Sequence, residues 1–215
     1  MGNLTNKDVE TLKKYVKSYD NKDIIFFSSY LLKKSNSDEI EREKGIMSNL
    51  YTGDFKIPYN GIEFNSSEQL LFYLNITRWA KLVGIDDDKI KFKTDFLLSC
   101  NCGGTVKNHP QNRNFYEEIV GKKKKLIGCE KAFIDGWKNQ YFILQLKYQY
   151  CPEFRNVLIK YKDKMWCENS DKPDCKLSIA GVLLDETSGK YCGINCVGRA
   201  MRRVFYENYL LKGEC

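Results

Sequence analysis

The sequence predicts an α+β fold, mostly helical, in a single domain with a small antiparallel sheet. Three observations carry this expectation. Several long stretches repeat apolar residues at helical spacing. The strand candidates are short and few, and each is bounded by turn residues. The composition, 42% hydrophobic and 29% charged over 215 residues, is that of a globular chain able to bury a sizeable core.

The elements read in order as follows. A helix opens at Thr5, with Asp8 completing a capping box and Val9, Leu12, Val16 and Tyr19 at helical spacing. Residues 1–22 thus read as a helical extension to a domain spanning 23–215. Asp23 to Ser28 is apolar and short, a buried strand. The charged stretch Lys33 to Lys44 reads as a solvated loop or short helix. Phe55 to Phe64 suggests two strands about a turn at Tyr59-Asn60-Gly61. Ser66 then caps a helix with Gln69 at the capping-box position, and Glu68 falls in its first turn.

Gly84 to Gly128 is polar, carries Gly103-Gly104, ends in Lys122 to Lys125 and is the least legible region; within it Asn108 to Asn112 reads as loop by composition, and a run of four lysines is usually a solvated loop. From Glu130 a long helix aligns Phe133, Trp137, Tyr141, Leu144 and Tyr148 on one face. Pro152 ends it and starts another through Lys162. Lys164 to Glu168 and Ile179 to Leu184 are strand candidates, and Gly193 to Leu211 is the last helix.

The bulk numbers narrow the function. No apolar run is long enough to cross a bilayer, and the first residues lack the pattern of a signal peptide, so a cytoplasmic protein without membrane association is expected. The nine cysteines then read as free thiols. Cys100-x-Cys102 with His109 does not have structural-zinc spacing, and no metal or cofactor is expected. A net charge of +7 favours polyanionic partners.

Six fragments then fall in one order. They are Ser48-Asn49-Leu50-Tyr51; Gly61 to Gln69; Trp137 leading to Lys147-Tyr148; Pro152 to Leu158; Trp166 to Ser170; and Gly193-Ile194-Asn195-Cys196-Val197-Gly198. This order resembles the NADAR (YbiA-like) family of N-glycosidases over about residues 24–80 and 130–211. The family's acidic residue and Trp-Gly after the Trp166–Ser170 motif are only partly matched. Asp174 stands one position late, and Leu177 occupies the place of the Trp.

The resemblance implies hydrolysis of the C1′–N bond of a ribosylated base. It assigns Glu68 as the carboxylate that meets the charge growing on the ribose, with Asp174 as a second acid. Glu68 also fits as a plain complement to a helix dipole. Candidate substrate contacts are Phe27, Ser28, Asn49, Trp137, Lys147, Gly193 and Asn195. Phe27 and Trp137 equally fit a core. Asn195 opens a helix that either binds phosphate through backbone N–H groups or is simply capped by it. Arg199, Arg202 and Arg203 follow on the same helix. Lys122, Lys123, Lys124 and Lys125 are the candidates for touching a nucleic-acid backbone.

The family offers two substrates: ADP-ribose on guanine, in nucleic acid or nucleoside, or a phosphorylated ribosylamino-pyrimidine of riboflavin synthesis. The net charge favours the first. A module that binds ADP-ribose or nucleic acid without turnover is the alternative from another class. The oligomeric state is not legible.

Overall fold

The structure is a computed structural model that describes residues 5–27, 38–100, 106, 109–168 and 178–211. The elements run α1 (Asn6–Lys13), β1 (Lys17–Tyr19), β2 (Ile24–Phe27), α2 (Glu39–Ile46), β3 (Ile57–Tyr59) and β4 (Ile62–Phe64). They continue with α3 (Ser67–Trp79), α4 (Asp87–Leu98), α5 (Pro110–Ile127), α6 (Cys129–Tyr150) and α7 (Pro152–Lys160). The last are β5 (Met165–Glu168), β6 (Leu183–Asp185), β7 (Lys190–Gly193) and α8 (Cys196–Phe205), which a π-helical turn at Tyr206–Leu210 extends. The fold is α+β and mostly helical. The chain forms two compact units, Asn49–Asn139 and Leu4–Ser48 with Gln140–Cys215.

The first unit begins with the β3–β4 hairpin, registered Ile57↔Phe64 and Tyr59↔Ile62. Its turn puts Asn60 at φ 50° and Gly61 at φ 74°, the left-handed pair that a two-residue hairpin turn requires. The core joins α3, α4 and α5 through Phe72, Ile76, Ala80, Leu97, Phe115 and Ile119. Two of these helices, α4 and α5, lie in the stretch that gave no clear sequence signal, and α5 begins inside the Asn108–Asn112 segment expected to be loop. Asp86 caps α4, accepting from the Asp88 and Lys89 amides. His109 caps α5 through Nδ1, with Pro110 in the first turn.

In the second unit β1, β7 and β6 form an antiparallel sheet, with Lys17↔Gly193 and Leu183↔Cys192 in register. β2 and β5 pair in parallel, Ile24↔Met165 to Phe27↔Glu168, so not all the pairing is antiparallel. Ile24, Cys167 and Val182 pack beneath Tyr19, Phe26, Met165 and Tyr191.

The capping box at Thr5 and Asp8 forms, with bonds of 2.8 and 3.2 Å. The helix stops at Lys13, however, because pairing with β7 draws residues 17–19 into a strand. Residues 1–22 are therefore not wholly helical, and Tyr19 is a sheet residue. The strand expected at Ile179 starts only at Leu183, because the carbonyls of residues 178–181 turn toward the start of α8.

Candidate functional site

Glu68 lies in the first turn of α3 and is buried, 9% exposed. Local sequence fixes this placement. Ser66 takes the extended conformation of an N-cap, and its hydroxyl accepts from the Gln69 amide at 3.2 Å. Gln69 reaches back one residue further than a capping box expects. Its Oε1 accepts from the Asn65 amide at 2.8 Å. Its Nε2 donates to the carbonyls of Leu97 and Cys100, each at 3.1 Å. Gln69 thus ties the hairpin exit, the start of α3 and the end of α4 together. The Glu68 backbone amide donates to the Asn49 carbonyl at 2.9 Å. The Ser-Asn segment and the Ser-Ser-Glu helix start, separate in sequence, meet at this bond.

Trp137 is half-buried on α6. The lysine run is the last part of α5, not a loop. Lys122 pairs with Glu118 at 3.0 Å. Lys123 is 2% exposed, pairs with Asp135 and sits 4.5 Å from the centre of the Trp79 ring. Trp79 Nε1 donates to the same Asp135 carboxylate at 3.1 Å. Burial lowers the Lys123 pKa and Asp135 opposes that. Lys123 is therefore removed from the nucleic-acid contacts, because it faces the interior; Lys125 is exposed. The Lys123–Asp135–Trp79 cluster gave no sequence signal, its members lying far apart in the chain.

In the second unit Lys147 is fully buried. Its Nζ donates to the carbonyls of Ile46 and Ser48, both at 2.7 Å, and lies 4.6 Å from the Phe154 ring centre. Burial pushes the Lys147 pKa down to about 7, with Cys151 and Glu153 acting weakly the other way. Lys147, offered by the sequence as a substrate contact, thus binds two main-chain carbonyls. Phe27 is 3% exposed and meets the Trp166 ring edge-on at 6.4 Å. It is a core aromatic.

Asn195 stands at the N-cap position of α8, its carbonyl accepting from the Arg199 amide at 2.9 Å, but not in the way a capping side chain would. It adopts a left-handed conformation, φ 50° and ψ 46°, which Asn tolerates better than most residues. Its side chain makes no cap bond; Nδ2 donates to the Trp166 carbonyl at 3.0 Å and contacts Cys167 Sγ at 3.2 Å. The amides of Ile194, Asn195, Cys196 and Val197 donate to the carbonyls of Ser178, Gly181, Ile179 and Ala180. These four amides are already occupied.

The glycines of this motif serve the same crossing of backbones. A Cβ at Gly198 would stand 1.7 Å from the Trp166 carbonyl oxygen, and one at Gly193 2.3 Å from that of Gly181. A Cβ at Gly181 would meet the Glu168 carbonyl oxygen at 1.8 Å. Arg199 donates to the Tyr15 carbonyl, Arg202 to that of Lys162, and Arg203 to Glu207. These guanidiniums hold the fold.

Ser28, Asp174 and Leu177 lie outside the described residues. Among the described residues no group of three or more His, Cys, Asp or Glu is arranged to hold a metal, and no helix is long and apolar enough to cross a membrane. A cavity of about 10 Å³ among Leu158, Trp166, Gly198, Arg202 and Phe205 admits no more than a water-sized group. Comparison with known proteins returned no matching family model, curated protein or solved structure.

Proposed function

We propose that this chain is an N-glycosidase that removes ADP-ribose from ADP-ribosylated guanine, with Glu68 as the carboxylate facing C1′. The observation that carries the reading is the 2.9 Å bond from the Glu68 amide to the Asn49 carbonyl. It joins the two fragments that the resemblance to the NADAR family places in the substrate pocket. A buried carboxylate held in the first turn of a capped helix is preorganised, and preorganised charge stabilises an oxocarbenium-like transition state without rearranging during the reaction. The net charge of +7 supports a polyanionic substrate over a small metabolite.

The leaving guanine departs with a proton, and water completes the ribose at C1′. The test is incubation of wild type and Glu68→Gln with guanine-ADP-ribosylated DNA in EDTA, reading released ADP-ribose. Release by wild type alone supports the reading. DNA bound without release by either protein would turn it into a reader of the modification.

A further inference from the structure

We propose that the small cavity beside Trp166 is an anion site of monatomic size, one that takes chloride. The site lies wholly within the second compact unit and stands apart from the Glu68 reading. Its walls follow from local structure. α7 ends at Lys160, the chain runs on through Tyr161 to Lys164, and β5 carries Trp166 into the core. On α8, Gly198, Arg202 and Phe205 fall at helical spacing, which places them on one face. Gly198 has no side chain, so this face lies close against β5.

Two independent observations point to a ligand there. Trp166 is 3% exposed, and its buried Nε1 has no hydrogen-bond partner among the described residues. A buried N–H without an acceptor is costly, and a ligand in the cavity supplies one. The second observation is charge. Lys162, Lys164 and Arg202 line the cavity, and no carboxylate does. Lys164 Nζ donates to the Lys22 carbonyl at 2.5 Å, and Arg202 Nη1 to the carbonyls of Lys162 and Lys164 at 2.6 and 3.5 Å. Those partners are neutral, and none of the three cations forms an ion pair among the described residues. Three like charges at one opening repel, and an anion between them turns that repulsion into attraction.

Donor type and size decide what the ligand is. A buried water both donates and accepts, typically with about three hydrogen bonds. The indole, guanidinium and ammonium groups here only donate. The Tyr161 hydroxyl already donates to Glu43 at 2.7 Å, and the Lys162 and Lys164 carbonyls already accept from Arg202. An anion accepts from all of these donors and offers none of its own. About 10 Å³ suits a single atom of roughly water size and excludes the tetrahedral oxyanions phosphate and sulfate. Chloride is the abundant anion of that size class.

The experiment follows the indole N–H signals of Trp79, Trp137 and Trp166 by 1H–15N NMR while sodium chloride replaces sodium gluconate at fixed ionic strength. The Trp166 signal should move and saturate, and the other two should stay in place. Sodium bromide should move it likewise, and sodium sulfate at the same ionic strength should not. Lys162→Gln removes a charge at the opening whose side chain makes no hydrogen bond among the described residues. It should raise the chloride midpoint about two- to fivefold, the range of one exposed charge pair. Arg202→Gln should abolish the saturation, and chloride should no longer raise its melting temperature as it does that of the wild type. Where Arg202→Gln does not fold, Lys162→Gln carries the test alone. A Trp166 signal indifferent to chloride would overturn the site. A signal that follows sulfate at lower concentration than chloride would overturn its monatomic size, and an unchanged midpoint in Lys162→Gln would overturn its placement.

Discussion

The Glu68 amide and the Asn49 carbonyl share a hydrogen bond of 2.9 Å, and it is made by main-chain atoms. Side-chain substitution at Glu68 therefore leaves the anchor in place. Glu68→Gln should lose ADP-ribose release by at least about a hundredfold, the scale of removing one preorganised charge. Its stability should fall by only about 0.3–1 kcal/mol, the loss of a carboxylate from a helix N-terminus. Thermal unfolding beside the release assay checks both. A large fall in stability with activity retained would mark Glu68 as structural.

Gln69 is predicted to matter more for folding than the carboxylate beside it. Gln69→Ala takes the side-chain acceptor from the Asn65 amide and one donor from each of the Leu97 and Cys100 carbonyls, which keep only the Cys100 amide and Asn65 Nδ2. The cost is about 2–4 kcal/mol in urea unfolding, from groups deprived of hydrogen bonds. Ser66→Ala removes one cap bond and should cost about 1 kcal/mol. Equal costs for the two variants would contradict the clasp assigned to Gln69.

The crossing of backbones under α8 gives a sharp pair of glycine variants. Gly198→Ala places a methyl 1.7 Å from the Trp166 carbonyl oxygen, which is backbone and cannot swing away. More than about 4 kcal/mol of stability should be lost. Gly136→Ala, inside α6 with nothing within 4 Å of the new methyl, should stabilise by about 0.5–1 kcal/mol. Circular dichroism melts of the two proteins test the contrast.

Part of this was legible in sequence, for identifiable reasons. Thr5, Ser66, Pro152 and the Asn60-Gly61 turn are local signals, and each marks an element boundary in the structure. α5 was illegible because His109 is an uncommon cap and its lysine run resembles a solvated loop. The Gly193-Asn195-Gly198 pattern was visible, but its cause was not. Only the three-dimensional crossing with residues 166–168 and 178–182 shows why glycine is needed there. The same holds for Lys147, whose partners are main-chain carbonyls a hundred residues away and carry no side-chain signature.

Lys123 and Lys125 are neighbours in one run with opposite predicted roles. Lys123→Ala leaves Asp135 without its buried partner and should cost about 2–3 kcal/mol, since Asp135 is partly open to solvent. Lys125→Ala should leave the melting temperature unchanged. If the protein binds DNA through this face, Lys125→Ala lowers the salt slope of binding by about one and Lys123→Ala does not. A salt slope that falls for both variants at unchanged stability would restore Lys123 to the contact surface.

Buried bases and thiols give the stability curve a predicted shape. Lys147 titrates at about 7 in the folded protein against an ordinary 10.5. Between those values the unfolded chain holds a proton that the folded one has released, so stability rises with pH, by at most about 1.4 kcal/mol per unit. Burial pushes the Cys151 thiol up to about 11, and those of Cys167 and Cys196 up to about 12, from an ordinary 9.0. Above pH 9 the unfolded chain loses protons that the folded one keeps, so these three contributions fall as pH rises. The three thiols outweigh the one amine there, and stability should peak near pH 9. Urea unfolding from pH 6 to 10.5 under reducing conditions measures the curve. Lys147→Met should flatten the rising limb from 7 to 9 and steepen the falling limb above 9, where the amine no longer opposes the thiols. A wild-type curve that already declines between pH 7 and 9 would place the Lys147 proton loss elsewhere.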